Sequence, residues 1–158
     1  MKALVVFDSV FGNTAKIAQA IGDAITSQGD VRVVKISEVD PEQLEGLDYL
    51  FVGSPTRAFS PTPAIKSFLN GLGRQSLEGV KVAAFDTRAD LSTVNSRILE
   101  IMVKFFGYAA EPIAKRMTRK GGEMVIAPEG FLVLGTEGPL GNGELERAAL
   151  WALTVTQS

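Results

Sequence analysis

The stretch ALVVFDSVFGNTAKIAQAIGDAI, residues 3–25, decides the fold class of this chain. Its first five residues form an unbroken β-branched and aromatic run, which is typical of a strand buried on both faces. After a polar loop, apolar residues recur at helical spacing, at Ile17, Ala20, Ile21, Ala24 and Ile25. A buried strand that leads directly into an amphipathic helix begins an alternating β-α pattern.

The same alternation runs through the rest of the chain. Strands are predicted at residues 31–36, 49–53 and 80–85, helices at 63–72, 91–105, 109–120 and 144–153, and a short helix or turn at 41–47. Residues 124–126 and 131–134 are predicted to form either a strand pair or one broken strand. The pattern indicates an α/β fold, a three-layer doubly wound and five-stranded parallel sheet with helices on both faces. The charged strand at residues 31–36 is expected at a sheet edge.

Composition narrows the chemistry that is available to the protein. A length of 158 residues, 46% of them hydrophobic, predicts one domain over residues 1–158 with a sizeable core. The chain has no cysteine and no histidine, which excludes thiolate nucleophiles, Cys- or His-ligated metal sites and Ser-His-Asp triads. We therefore expect no catalytic side chain and no metal site, and a cofactor that carries any demanding chemistry.

Charge and hydropathy narrow the range of partners. Sixteen Lys and Arg against eighteen Asp and Glu give a net charge of −2, which is too balanced to attract a nucleic acid or an anionic bilayer. The N-terminal apolar run ends at Asp8, too early for a signal sequence, and no stretch approaches about 18 apolar residues. We expect a cytoplasmic protein that binds no nucleic acid and does not insert into a membrane.

Three loops at the carboxyl ends of the predicted strands are the candidate binding segments, because ligands of such sheets bind at that edge. The first combines two hydroxyls, an amide and a glycine before a helix N-terminus, a composition suited to an anion; it comprises Ser9, Val10, Phe11, Gly12, Asn13 and Thr14. It matches neither the GxxxxGK[ST] nor the GxGxxG motif. Ordinary helix capping by Asn13 or Thr14 is the alternative interpretation.

The other two loops are less specific. Residues 54–63 (SPTRAFSPTP) contain three prolines around Phe59, and helix capping by Thr62 with Pro63 in the first turn explains the end of this loop alone. Residues 86–90 (DTRAD) are polar groups that follow an apolar strand. They suit contacts to a sugar-like chain, and they equally suit a solvated, salt-bridged turn.

Together these loops resemble those of the flavodoxin family. The run Ser9-x-x-Gly12-Asn13-Thr14 looks like the family's phosphate loop, and residues 52–56 (VGSPT) are similar to its Gly-x-Pro-Thr/Ser motif at the flavin. Residues 135–140 (GTEGPL) and 143–148 (GELERA) look like a tail seen in prokaryotic flavodoxin-domain proteins. The resemblance covers essentially the whole chain.

The resemblance implies the strand order 2-1-3-4-5 and non-covalently bound FMN that transfers one or two electrons. By position, it assigns the FMN phosphate to residues 9–14. It assigns the flavin ring to the second loop, at Pro55, Thr56, Arg57, Ala58 and Phe59. It assigns the flavin edge and ribityl chain to Asp86, Thr87 and Arg88.

The sequence departs from the family pattern at several of these positions. Val10 and Phe11 replace residues with side-chain donors, which leaves more of the phosphate contact to backbone N–H groups. No aromatic residue lies between Asp86 and Arg97, where many flavodoxins place a Tyr over the flavin. Phe59 is therefore the expected aromatic face, and Leu91 is a possible apolar substitute for the missing Tyr.

The dipeptide Arg57-Ala58 stands where many flavodoxins have a glycine. A residue other than glycine with positive φ costs about 1 kcal/mol, so we expect strain there. Arg57 and Arg88 are both expected to place positive charge near the ring. Trp151 and the phenylalanines outside the loops lie at helical or strand-interior positions, and we expect them in the core.

These observations favour a low-potential FMN electron carrier that exchanges electrons with redox partner proteins, a reductase and an acceptor. One alternative is an FMN-dependent quinone-type reductase or oxidase. A second alternative is a flavin-free interaction module of the same fold, since Val10, Phe11 and the missing Tyr weaken the flavin site. A phosphorylated receiver domain is excluded because Asp8 lacks an acidic neighbour and the third strand ends at Ser54.

Overall fold

A computed structural model describes residues 1–93 and 96–158 of the chain. Strands and helices alternate for most of the chain, as the sequence predicted. Their bounds, in chain order, are β1 Lys2–Phe7, α1 Asn13–Ile25, β2 Asp30–Lys35, β3 Tyr49–Pro55, α2 Pro63–Gly71, β4 Lys81–Ala89, α3 Arg97–Phe106, α4 Ala110–Arg119, β5 Glu123–Met124, β6 Glu129–Val133 and α5 Glu144–Thr156. Short 3-10 turns lie at 26–28, 36–38, 41–44 and 91–93.

The strands form one parallel sheet in the order β2-β1-β3-β4-β5, which confirms the expected topology. Strand β2 lies at an edge, as its charges predicted. Both β5 and β6 pair with β4, β5 opposite its beginning and β6 opposite its end. They are therefore two parts of one broken edge strand, which was one of the two alternatives for this region.

Two apolar cores lie on the two faces of the sheet, because successive side chains of a strand point to opposite faces. Val5 of β1 belongs to the core under α1 and α5, whereas Leu4 and Val6 belong to the core under α2 and α4. Trp151 of α5 packs edge-on against buried phenylalanine rings in the first core, so its expected core position is confirmed. Burial on both faces explains why β1 has an unbroken apolar sequence.

Strand β4 is longer than the sequence predicted. Residues 86–90 were expected as a loop, but β4 continues to Ala89, and β6 pairs with it from Phe85 onwards. The polar residues fit a strand here because they have partners: the hydroxyls of Thr14 and Thr87 lie 2.7 Å apart, and Asp86 forms an ion pair with Arg88. The loop interpretation of Asp86, Thr87 and Arg88 is therefore wrong.

Helix α3 contradicts the expectation that its apolar residues are in the core. The predicted helix began near Leu91; Leu91 lies instead in a 3-10 turn, Val94 lies outside the described residues, and α3 begins at Arg97. None of the ten residues of α3 is buried, and Phe105 and Phe106 are 81% and 66% exposed. Their predicted core position is wrong, since both cores are filled by other helices, α1 and α5 on one face of the sheet and α2 and α4 on the other.

Candidate functional site

A cavity of about 330 Å³ opens where β1, β3, β4 and β6 end at their carboxyl termini. This is the edge at which parallel sheets bind ligands. All three predicted loops contribute to its lining, which contains Ser9, Phe11, Asn13, Thr14, Pro55, Thr56, Arg57, Ala58, Thr87 and Arg88. Of the other predicted residues, Val10, Gly12, Phe59 and Asp86 are outside the lining.

The first loop folds around the hydroxyl of Ser9. Its Oγ accepts hydrogen bonds from the N–H groups of Gly12, at 3.1 Å, and of Ala15, at 3.4 Å. Gly12 adopts φ 93°, a left-handed conformation that glycine tolerates best, and helix α1 begins directly after it. Gly12 thus shapes the loop through its backbone although it does not line the cavity.

Four backbone N–H groups of this loop point to anion binding. In the described part of the chain, no atom accepts a hydrogen bond from the N–H of Val10, Phe11, Asn13 or Thr14. Free N–H groups at a helix N-terminus, reinforced by the helix dipole, bind phosphates and carboxylates. Val10 and Phe11 can therefore contribute to such a site through their backbones, although their side chains carry no donors.

Helix capping does not explain the side chains of Asn13 and Thr14. The residue that precedes α1 is Gly12, which makes no side-chain cap, and the side chain that accepts from an N–H of the first turn is that of Ser9, on Ala15. Asn13 instead donates from Nδ2 to the carbonyl of Glu137 at 2.9 Å, and the Thr14 hydroxyl contacts that of Thr87. These two hydrogen bonds attach the first loop to β4 and to the loop between β6 and α5, so the capping alternative is wrong.

The second loop contains a strained two-residue turn. Arg57 and Ser60 exchange two backbone hydrogen bonds, and Ala58 and Phe59 between them have φ of 48° and 64°. Such turns favour Asn-Gly, since each residue other than glycine pays for positive φ. The expected strain is present, but it lies at Ala58 and Phe59 rather than at Arg57 and Ala58.

Aromatic residues lie on different sides of this turn. The ring of Phe59 lies outside the cavity and contacts Phe106 of α3, with centroids 5.7 Å apart. Phe11 lines the cavity and is 48% exposed, and the Arg57 guanidinium lies 5.7 Å from its ring centroid. The aromatic lining is therefore Phe11, where Phe59 was expected. At the end of the loop, Thr62 caps α2 and Pro63 begins it, as predicted.

Asp86 lies behind the cavity wall, where it organises the polar groups of β4 and α4. Its carboxylate accepts two hydrogen bonds of 2.7 Å from Arg88 and one of 2.9 Å from the N–H of Ala110. Burial raises the pKa of the Asp86 carboxyl above its ordinary value, against the lowering effect of Arg88. Because side chains alternate along β4, Asp86 faces α4 while Thr87 faces α1.

Arg88 has contacts on two sides. Its guanidinium lies 3.6 Å from the ring centroid of Tyr108, and a Cβ on Gly130 would come within about 2.1 Å of it, so a larger residue at position 130 would displace the guanidinium. Asp86 neutralises the positive charge of Arg88. Of the two described cations that line the cavity, Arg57 is therefore the free one.

Four lining residues were not among the predicted binding residues. Ala89, Val133, Gly135 and Thr136 complete the lining. Ala89 lies within the third predicted loop, and the rule that ligands bind at strand carboxyl ends points to Gly135 and Thr136, since their loop follows β6. Tyr108 packs on Arg88 although nothing in its local pattern predicts a role. It lies next to Gly107 in the break between two helices, and only the folded chain brings it to β4.

A family model for flavodoxin matches residues 5–151, nearly the whole chain. The chain belongs to the flavodoxin family. FMN is the cofactor of this family, so the expected cofactor and the class of FMN-binding electron-transfer protein are confirmed at that level. In residues 1–93 and 96–158, no helix has the length and apolar content needed to cross a bilayer.

Individual flavodoxin-like relatives differ in their names. A protein of Archaeoglobus fulgidus named NAD(P)H dehydrogenase (quinone) is 27% identical over 82% of this chain and 86% of its own length. A probable flavodoxin 1 of Bacillus subtilis is 31% identical over 53% of this chain and 54% of its own. The solved structure of a flavodoxin from the domain Archaea has a TM-score of 0.76, 25% identity and coverage of 99% and 97% of the two chains.

The observed residues of this flavodoxin-family chain fit FMN. The first loop has free N–H donors for a phosphate and no basic side chain, and the lining adds apolar surface from Phe11, Pro55 and Ala58. Thr56, Thr87 and Thr136 line the same cavity, and hydroxyl side chains suit a ribityl chain. The cavity thus offers an anion site, an apolar wall and hydroxyl groups side by side.

Proposed function

We propose that this chain is a low-potential electron carrier that accepts electrons from a reductase protein and delivers them to an acceptor protein through FMN. The observation that carries the proposal is the first loop, whose four free N–H groups lie beside a cavity that Ser9, Asn13 and Thr14 line. A phosphate is the natural ligand of such a loop. Membership of the flavodoxin family supports electron transfer between proteins as the use of that ligand.

In this proposal residues 9–14 bind the phosphate of FMN. The backbone N–H groups of Val10, Phe11, Asn13 and Thr14 donate to it, and the positive end of the α1 dipole offsets its charge. The hydrogen bonds of Asn13 to Glu137 and of Thr14 to Thr87 hold the loop in this form before the ligand arrives. Such preorganisation lowers the entropic cost of binding.

Residues of the second loop and β4 hold the remainder of the cofactor. Phe11 and Ala58 provide apolar surface for the ring, and Arg57 provides the free positive charge at the mouth of the cavity. Thr87 and Arg88 line the side of the ribityl chain, with Asp86 behind them as a positioning residue. FMN supplies the one- and two-electron redox chemistry, which agrees with a chain that has no histidine or cysteine.

The test compares two alanine substitutions of glycines with positive φ. Gly12→Ala strains the first loop, whereas Gly79→Ala introduces the same kind of strain in a turn away from the cavity; the two φ angles are 93° and 82°, and neither added Cβ meets another atom within 4 Å. FMN binding is measured by the quenching of flavin fluorescence on titration into the apoprotein. We expect Gly12→Ala to weaken FMN binding at least tenfold, about 1.4 kcal/mol, and Gly79→Ala to leave it unchanged.

Two outcomes would contradict the proposal. Equal FMN affinities for the two variants would show that the first loop does not bind the phosphate. A wild-type protein that purifies without flavin bands and binds no FMN would favour the flavin-free interaction module. Urea unfolding of both variants checks that they lose similar stability, so that a difference in FMN binding is not a folding effect.

A quinone-type reductase or oxidase is the second candidate function. The name of the relative from Archaeoglobus fulgidus supports it, though no better than the family supports a carrier. The two functions differ in how the protein is reduced. Rapid oxidation of NADPH or NADH by the purified protein with a quinone would favour the enzyme, whereas reduction only through a separate reductase protein would favour the carrier.

A further inference from the structure

The sequence contains two Asn-Gly dipeptides, Asn70-Gly71 and Asn142-Gly143, and they lie in different local structures. In such a dipeptide the backbone nitrogen of the glycine can attack the side-chain amide of the asparagine, because glycine has no Cβ to hinder the approach. The reaction needs an accessible amide and a glycine nitrogen that no hydrogen bond holds in place. Both asparagines are exposed, so the backbone around them decides which one reacts.

The first dipeptide is held by a helix and by two cationic side chains. Asn70 and Gly71 form the end of α2, and in a helix each backbone N–H donates to the carbonyl four residues earlier. The Asn70 side-chain oxygen accepts a hydrogen bond of 3.3 Å from Arg116 Nε, and the Asn70 carbonyl accepts one of 3.1 Å from Lys120 Nζ. The nitrogen of Gly71 therefore reaches the amide only if the last turn of α2 opens.

The second dipeptide lies in a turn directly before α5. Asn142 and Gly143 are the central residues of this turn, since the N–H of Glu144 donates to the carbonyl of Gly141 at 3.3 Å. Gly143 has φ 79° and ψ 1°, the conformation of the third residue of a type II turn. Within residues 1–93 and 96–158, no hydrogen bond involves the N–H of Gly143 or the side-chain amide of Asn142. Both groups that must react are therefore free and exposed to water.

We propose that Asn142 is a site of spontaneous covalent modification, at which the side-chain amide is converted to a carboxylate. The nitrogen of Gly143 forms a bond to Cγ of Asn142, the bond from Cγ to Nδ2 breaks, and ammonia leaves, which produces a five-membered succinimide ring. Water then opens the ring at one of its two carbonyl carbons and leaves either an aspartate or an isoaspartate at position 142. No oxidant, reductant or cofactor takes part, so the inference does not depend on the proposed function.

The two products differ in their effect on α5. Each adds one negative charge, which changes the net charge from −2 to −3. The helix dipole favours an aspartate carboxylate at the N-terminus of a helix. An isoaspartate instead adds one carbon atom to a short backbone segment that is fixed at both ends: the N–H of Gly141 donates to the carbonyl of Leu132 at 2.8 Å, and the Glu144 carboxylate accepts from the N–H of Leu132 at 2.6 Å. The isoaspartate form therefore strains the attachment of α5 to β6.

The test follows the two asparagines in one sample of the full chain at mildly alkaline pH, where attack by the backbone nitrogen is faster. Trypsin places them in separate peptides, residues 67–74 and 121–147, and mass spectrometry detects the replacement of an amide by a carboxyl group. We expect the second peptide to be modified at least ten times faster than the first. Isoaspartyl methyltransferase, which methylates isoaspartate, should label the second peptide and not the first.

Denaturation is the control that separates the effect of the fold from that of local sequence. In concentrated urea neither asparagine has a helix or a tertiary hydrogen bond around it, so the two rates should become similar. Asn142→Gln should abolish the modification of the second peptide, because the larger ring that glutamine would have to form closes far more slowly. Asn70→Gln is the matched variant and should leave the second peptide unchanged. Circular dichroism checks that both variants are folded.

A second measurement tests the effect on α5. Anion exchange separates the modified protein by its added charge. We expect Asn142→Asp to unfold at the same urea concentration as the wild type, and the isoaspartate fraction to unfold at a lower one. An isoaspartate fraction as stable as Asn142→Asp would contradict the strained attachment of α5.

Three results would overturn Asn142 as the modification site that the fold selects. The first is equal rates for the two peptides of the folded protein. The second is an Asn142 that stays unmodified in the folded protein under conditions that modify it in urea. The third is a ratio of the two rates in urea as large as that in the folded protein, since local sequence would then explain the difference.

Discussion

Helices α3 and α4 are neighbours in the chain and opposites in their environment. Each has ten residues, and each repeats apolar residues at helical spacing. Helix α4 buries Ala110, Ile113, Ala114 and Met117 in the core beneath it, whereas α3 buries no residue and leaves Ile98, Ile101 and Phe105 more than half exposed. Similar periodicity therefore accompanies opposite burial.

The difference lies in what each helix meets at its N-terminus and beneath its apolar face. The N–H of Ala109, directly before α4, donates to the side chain of Thr56, directly after β3, and the N–H of Ala110 donates to Asp86 of β4. These two hydrogen bonds anchor the start of α4 to the ends of β3 and β4. Helix α3 is capped by Ser96, its own neighbour in sequence. A helix that is anchored only locally gains little from packing, and packing provides most of the stability of short helices in proteins.

Matched truncations of the two helices should show the largest contrast. Ile113→Ala in α4 removes a side chain that is fully buried, and we expect a loss of about 2–5 kcal/mol in the free energy of unfolding. Ile101→Ala in α3 should cost less than about 1 kcal/mol because that side chain is 55% exposed. Urea denaturation measures both. Similar losses would mean that α3 is covered in solution, which a dependence on protein concentration would reveal.

Acidification is expected to change the free energy of unfolding by an intermediate amount. A titratable side chain, Glu144, anchors α5, whereas the uncharged Ser96 caps α3. The Glu144 carboxylate accepts hydrogen bonds from Arg147 and from the N–H of Leu132 in β6. Hydrogen bonding from Arg147 holds the pKa of Glu144 below its ordinary value of 4.5. A lowered folded-state pKa gives stability that is present above pH 4.5 and is lost as the pH falls through the lower folded value.

We therefore expect Glu144→Gln to be less stable than the wild type at neutral pH by about 1.5–3 kcal/mol, the range of hydrogen bonds to charged groups. Its unfolding free energy should also fall less steeply on acidification below pH 4.5. Ser96→Ala, which removes the uncharged anchor of α3, is the control and should keep the wild-type slope. Urea titrations at several pH values measure this; parallel curves for Glu144→Gln and the wild type would contradict it.

The smallest change in stability is expected from a substitution on the exposed side of α3. Phe105 is 81% exposed, so Phe105→Ser should change the free energy of unfolding by less than about 0.5 kcal/mol. Phe131→Ser, at a fully buried ring of the core, provides the contrast and should be strongly destabilising. Thermal unfolding followed by circular dichroism compares them. A loss of several degrees in Phe105→Ser would show that the exposed face of α3 is a packed surface in solution.

Much of the site could be predicted from residues 3–14, 54–63 and 86–90. A buried strand followed by a Gly-Asn-Thr loop and a helix places an anion site at the carboxyl edge of the sheet, and that loop lies there. Phe59 could not be placed in this way. Its ring contacts that of Phe106, a residue far away in sequence, so no local sequence pattern predicts that contact.

Asp86 illustrates a second limit of local reasoning. A run of polar residues after an apolar strand reads as a loop, yet here the strand continues because Thr14, Arg88 and Ala110 satisfy the polar groups of residues 86–88. Because successive side chains of a strand point to opposite faces, Asp86 of the extended strand faces α4 and Thr87 faces α1. The partners that decide this come from two helices on opposite faces of the sheet.

By itself, the sequence determined the alternation of strands and helices, the apolar residues of β1 and β3, the edge position of β2 and the chemistry of the first loop. These follow from local properties, namely hydrophobic period, charge and glycine. Only the tertiary structure decided that α4 is buried and α3 exposed, that Phe11 rather than Phe59 lines the cavity, and that Asp86 neutralises Arg88 behind its wall. Burial and pairing depend on which surfaces are covered by segments distant in sequence, and the apolar period of a helix does not specify which surface the helix will meet.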